Sequence, residues 1–255
     1  MNLHVKPRYY RWHVAPGVEW VEPNTQYGYL DWTIPVDQTA LILVDVWDHH
    51  YLKDTEERAE VIIQNKIVPL LSACRKAGMP IIHAPAPGVA EHHPAWVRLI
   101  DERDMKSGVA SQWPPAEFRQ KKGVFQQYAK PAEPREPELV ELRANRKMHP
   151  LVQVEAGEAV VYNGEEMHRL CQQKGIMFLF FIGFNTNACI LLRDYGTLVM
   201  GRRGYEIITI RDCTTGMESF ETHADLWQTR GAILFLEMFG HYSIGSEDLI
   251  TGLMS

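Results

Sequence analysis

Residues 181–196 read FIGFNTNACILLRDYG, and the fold turns on how they are divided. An apolar run carrying Gly183 gives way to small and polar residues, and Cys189 follows. After it, ILLRDYGTLVM resumes at helical spacing. This is the pattern of a buried strand handing over to a helix. It places the Cys189 thiol at the carboxyl edge of a sheet, where a helix N-terminus aims backbone N–H groups and its dipole at it. Those donors favour thiolate over thiol and are suited to an oxyanion. A buried cysteine acting as a small hydrophobe is the competing account of the same residue.

Working outward, strand and helix patterns alternate. TALILVDVW is an apolar run ending in an acid, as expected of a strand buried on both faces, and residues 56–77 are amphipathic and helical up to Gly78. MPIIHA, GEAVVYN, IMFLFFIGF and GYEIITIRDC supply further strands; EEMHRLCQQKG, PELVELRANRK and THADLWQTRGAILFLEMF supply helices. The alternation implies a Rossmann-like three-layer α/β/α fold with a mostly parallel central sheet and right-handed connections. One domain spanning 1–255 is expected. Residues 1–38, rich in aromatic residues and turn formers, form an arm or hairpin over it, and residues 85–150 form a proline-rich irregular insertion.

Composition narrows the function. The formal net charge is −6 with no long basic run, so nucleic acid and anionic membranes are not expected as partners. The N-terminus lacks an apolar signal-type core, and no segment approaches the length of a membrane span. Four scattered cysteines, with no CxxC pair, fit free thiols in a reducing cytoplasm. Cys74 and Cys171, inside amphipathic helices, read as packing. The apolar helix THADLWQTRGAILFLEMF suggests a homo-oligomer, a dimer or tetramer, although a buried core explains the same pattern.

In open α/β sheets ligands bind beyond the carboxyl ends of the strands. That edge collects Asp45, His83, Tyr162, Asn163, Cys189 and Asp212. An acid directly after LILV is costly to bury unless it is used or paired. Asp45 is therefore either a general base for a thiol or a cap to a loop backbone. The clusters DHH at 48–50 and EHHP at 91–94, with His83, raise a metal reading, but no fixed ligand spacing such as HExxH supports it. No GxGxxG follows a strand, so no dinucleotide is expected. No metal or other cofactor is assigned.

At ALILVDVWD, GMPIIHA and GFNTNACILLRDYGTLVMGRRGYEIITIRDCTT the sequence resembles the isochorismatase-like cysteine hydrolase superfamily, which includes nicotinamidases, N-carbamoylsarcosine amidohydrolases and ureidoacrylate hydrolases. The resemblance covers roughly residues 38–250. It implies Cys189 as nucleophile, Asp45 as base, and the backbone N–H groups of Asn185 and Cys189 as oxyanion hole. A cis non-proline peptide is implied at Phe184–Asn185. The implied reaction is thiolate attack on a small-molecule amide, carbamoyl or related C–N substrate, through a thioester. Trp47, His49, His83, Tyr162 and Asn163 are expected to wall the pocket. One departure matters: the family's catalytic lysine belongs at the end of the third strand, where Tyr162 and Asn163 stand. Lys130, Lys147, His83 and His168 are the substitutes considered. Vinyl-ether hydrolysis, as in isochorismatases proper, and a non-catalytic scaffold on the same fold are the alternatives.

Overall fold

The computed structural model describes residues 1–100 and 113–254. Residues 101–112 of the expected insertion, and residue 255, lie outside the described residues. The chain divides into two compact units, 1–99 with 146–255, and 100–145.

The larger unit is built on an eight-stranded sheet. The strands of the unit are β1 (Asn2–Val5), β2 (Arg8–Arg11), β3 (Gln26–Tyr29), β4 (Trp32–Pro35), β5 (Thr39–Val44), β6 (Ile81–Ala84), β7 (Ala159–Val160), β8 (Phe178–Phe184), β9 (Glu206–Thr215) and β10 (Tyr242–Ile244). The order is β3-β2-β10-β9-β8-β5-β6-β7, and β1 and β4 form a separate pair. From β7 to β10 all neighbours run parallel, while β2 and β3 add an antiparallel edge. The fold is thus three-layer α/β with a mostly parallel sheet. The N-terminal arm does not merely cover the domain: its β2–β3 hairpin extends the sheet and caps the edge that β10 would otherwise expose.

Helices α1 (Lys53–Ile62) and α2 (Val68–Lys76) flank one face of the sheet. They are joined by a π-helical turn, Ile63–Ile67, just before Pro69, which has no N–H for the regular ladder. The smaller unit contains α3 (Glu136–Asn145), the helix read from PELVELRANRK. On the larger unit, α4 (Gly164–Lys174) and α5 (Thr197–Arg202) follow, then α6 (Trp227–Met238) and α7 (Ser246–Met254). Helix α4 starts on an Asn163 cap and ends on Gly175 at φ +67°, a left-handed position that suits glycine.

Strand β5 explains why an unbroken apolar run was needed. All six of its residues are buried; Leu41 and Leu43 join the core under α1 and α2, while Ala40, Ile42 and Val44 join the core under α4 and α5. Period-two alternation sends each set to a different layer, so both sets must be apolar. Each fully buried Leu, Ile or Val contributes about 1.5–3 kcal/mol of transfer free energy. The sheet order reverses direction between β5 and β8, which makes the gap above their carboxyl ends the switch-point crevice.

Two elements differ from expectation. GEAVVYN yields only a two-residue strand, Ala159–Val160. The segment after Cys189 is not one continuous helix: a π-helical turn covers Thr186–Ile190, and α5 begins only at Thr197. Tertiary anchors interrupt it. The Asp194 carboxylate accepts from the Gly164 N–H at 3.0 Å, and the Tyr195 hydroxyl donates to the Pro85 carbonyl at 3.2 Å. Together they pull residues 193–196 off the helical path.

Candidate active site

Register brings the two halves of the site together. Val44 of β5 pairs with Gly183 of β8, so Asp45 and Phe184 leave the sheet side by side. Gly183 sits at φ +108°, and a Cβ there would lie 2.0 Å from the Val44 carbonyl oxygen. Only glycine permits this approach. The Phe184–Asn185 peptide is cis, at the position the family resemblance implies. Asn185 then accepts at its carbonyl from the N–H groups of Ala188 and Ile190, closing the turn that presents Cys189.

Asp45 is 5% exposed and adopts φ +45°, and its N–H donates to the Ala84 carbonyl. A non-glycine residue in this region costs about 1–2 kcal/mol, and such strain gathers at working sites. The half-buried Cys189 thiol is a hydrogen-bond partner of the Asp45 carboxylate. Arg193, one helical turn beyond Cys189, places Nη2 3.5 Å from Asp45 Oδ2 and also bonds the thiol. Carboxylate, thiol and guanidinium therefore form one cluster.

Electrostatics fixes its resting state. Burial raises the Asp45 carboxyl above its ordinary value, against the lowering effects of Cys189, Arg193 and Arg146. Burial, and then the Asp45 charge, push the Cys189 thiol up to about 11, with Arg193 pulling it down. Burial opposes the Arg193 charge, but Tyr195, Asp45 and Cys189 outweigh it and hold the guanidinium protonated. When the pair shares one proton, its single negative charge lies beside the Arg193 guanidinium, which balances it. The helix dipole and its N–H donors, expected to favour thiolate, are opposed here by burial and the carboxylate. That helix is a single turn, and the nearer influences of burial and carboxylate win.

The cation takes a different position from the family's lysine. It lies at i+4 from Cys189, whose carbonyl accepts from the Arg193 N–H, so the spacing in LLRD carries the signal. Of the substitutes considered, His83 bonds Glu158 and His168 bonds the Tyr205 hydroxyl. Lys147 borders the small cavity beside Asp45, but the cations acting on that carboxylate are Arg193 and Arg146. Lys130 belongs to the smaller unit.

The remaining candidates divide. Trp47 is buried against Phe184, with ring centroids 5.0 Å apart, and borders the small cavity with Asp45, Val89 and Arg146. That cavity holds about 10 Å³, enough for roughly one water. His49 points to solvent near Glu56. His83 is fully buried on Glu158, and Asn163 spends its side chain capping α4. Tyr162 packs beside Trp96 and donates its N–H to Glu166. None of these four borders the small cavity. In the histidine clusters, His50 stacks on Trp47 and accepts from the Leu52 N–H. Burial, with Arg146, lowers its imidazole to about 4. His92 and His93 bond local backbone groups. Among the described residues no three His, Cys, Asp or Glu side chains are grouped to hold a metal.

The Isochorismatase domain model matches residues 39–237. The chain belongs to the isochorismatase-like hydrolase family. Two solved structures share its fold. A cysteine hydrolase from Pseudomonas syringae pv. phaseolicola 1448A superimposes with a TM-score of 0.57 at 16% identity, covering 88% of this chain and 95% of that one. An isochorismatase family protein from Desulfovibrio vulgaris subsp. vulgaris str. Hildenborough gives 0.51 at 14% identity, covering 86% and 99%. None of the curated proteins compared with the chain matches it. Among the described residues no helix is long and apolar enough to cross a membrane.

Proposed function

We propose that this family member is a cysteine-dependent hydrolase of a small amide, carbamoyl or related C–N substrate, working through a thioester on Cys189. The observation that supports it is the Asp45–Cys189–Arg193 cluster, in which a proton-holding thiol, a base and a balancing cation meet at the switch-point crevice. The Cys189 S–H proton passes to Asp45 as sulfur attacks the carbonyl carbon, and the carbonyl π electrons move to oxygen. The backbone N–H groups of Asn185 and Cys189 receive that oxyanion. As the C–N bond breaks, Asp45 returns its proton to the leaving nitrogen. Asp45 then takes a proton from water, which attacks the thioester and releases the acid, and Asp45 returns that proton to the leaving sulfur, restoring the thiol and the carboxylate.

Arg193 makes the first step accessible. Proton transfer from thiol to carboxylate leaves the net charge of the cluster unchanged, so the guanidinium stays paired throughout. The buried side-chain nitrogens Asn185 Nδ2 and Arg193 Nε have no hydrogen-bond partner among the described residues, so both remain available to a bound ligand. Trp47 supplies the apolar wall.

The test is ammonia or amine release from a panel of small amides, ureas and carbamoyl compounds, with mass spectrometry of acid-quenched protein. An acyl adduct on the peptide containing Cys189 and loss of turnover in Cys189→Ala are expected. Turnover that survives Cys189→Ala removes the thioester route.

A further inference from the structure

A second cavity, of about 870 Å³, opens between α1 and α6 over the end of β9. It shares no lining residue with the small cavity beside Asp45. Its volume falls in the range of small-molecule sites, and Val61, Ile62, Leu226, Ile233 and Leu234 give it apolar walls.

The polar lining is unbalanced. Arg8, Arg58, Arg211 and Arg230 all border the cavity. Arg8 is neutralised by the buried Glu237 at 2.8 Å. The other three have no carboxylate within ion-pair distance among the described residues. Arg58 donates to the Thr55 and Thr215 hydroxyls and the Gly216 carbonyl, and Arg211 donates to the Ser243 hydroxyl. Arg230 lies over the Trp227 ring.

Two exposed carboxylates border the same cavity, fewer than its four arginines, and each has a contact of its own. Glu57 pairs with Lys53 at 3.5 Å, and Asp225 accepts from the Trp227 indole at 3.3 Å. Burial and the neighbouring Arg8 charge also lower the Arg211 guanidinium, although Glu237 and Asp248 act the other way. Glu237 reaches Arg211 only through the Ser243 hydroxyl, so this half-buried guanidinium has no direct ion pair and has donors left for an anion in the groove.

We propose that this groove binds an amphipathic organic carboxylate, its carboxylate held by Arg211 and Arg230 and its apolar body laid along Val61, Ile233 and Leu234. The apolar walls select an organic anion over inorganic phosphate, and the planar guanidinium forks match a carboxylate. The site is independent of the thioester chemistry.

Octanoate is a suitable probe, titrated into the full chain and followed by calorimetry and by intrinsic tryptophan fluorescence. Saturable binding at one site per chain is expected. Arg230→Gln, at an exposed position that leaves the fold intact, weakens it about tenfold or more, and Arg211→Gln/Arg230→Gln weakens it further. Octanol, which lacks the charge, binds at least about tenfold more weakly than octanoate. Cys189→Ala binds octanoate as the parent chain does. Equal binding of octanol, indifference to Arg230→Gln, loss of binding in Cys189→Ala, or no saturation would each overturn the proposal.

Discussion

Arg193 Nη2 lies 3.5 Å from Asp45 Oδ2, four residues and one helical turn beyond the cysteine that shares the same carboxylate. The cation that balances the Asp45–Cys189 pair is therefore carried by the cysteine's own segment rather than by a separate strand. Arg193→Met leaves Asp45 and Cys189 with an unbalanced negative charge. Turnover on any amide found in the substrate panel should fall on the order of 10²-fold, while Arg193→Lys, which keeps a charge but loses the fork, should retain part of it. Steady-state kinetics of both variants on one substrate checks this; equal rates in Arg193→Met and the parent chain would sink it.

The state of the thiol gives a second prediction. Alkylation of Cys189 by iodoacetamide, followed by peptide mass spectrometry, should inflect near pH about 11, above the ordinary thiol. Burial is the largest cause, and the Asp45 charge and hydrogen bond add to it. Asp45→Asn removes the latter two, so its inflection should move down, not up. Arg193→Met removes a lowering influence and should move it up. An inflection below pH ~8.5 in the parent chain would mean that the helix terminus, not the carboxylate, governs the thiol.

Much of this was legible in the sequence because it rests on short-range rules. The unbroken apolar run of β5 announces a strand buried on both faces, and the switch point follows from parallel order. That picks out Asp45 and Cys189 without knowing a single contact. What was not legible depends on long-range anchoring. The helix expected after Cys189 is cut by Asp194 bonding Gly164 and by Tyr195 bonding Pro85, contacts 30 and 110 residues apart in sequence. His83 sits at the predicted strand end, yet its imidazole is committed to Glu158, which no local pattern signals. Arg193 was missed for another reason. The family's lysine stands at the end of the third strand, whereas here i+4 spacing from Cys189 sets the cation.

Gly183 couples the two strands of the site. Gly183→Ala sets a Cβ 2.0 Å from the Val44 carbonyl oxygen at φ +108°, and neither backbone can yield without moving Asp45 or the Asn185 turn. Destabilisation of about 3 kcal/mol or more is expected, with a matching loss of turnover. Urea unfolding measures the first. An alanine variant of parental stability would show that β5 and β8 do not approach as closely as described.

The Glu158 cluster separates scaffold from chemistry. Burial alone would raise this carboxyl, but hydrogen bonds from His83 at 2.8 Å and Arg75 at 2.7 Å outweigh it and hold it near about 2. A carboxylate depressed in the folded chain stabilises it above the unfolded value of 4.5, and that stability is lost as pH falls towards about 2. Glu158→Gln should therefore cost about 2 kcal/mol at neutral pH and flatten the acid limb between those two values. The substitution also frees the buried His83 ring. If His83 only ties β6 to the turn before β7, turnover per folded molecule stays at the parental level. A fall in kcat larger than the loss of folded protein would instead place the imidazole in the chemistry, because a purely structural tie lowers the amount of active enzyme and not its rate.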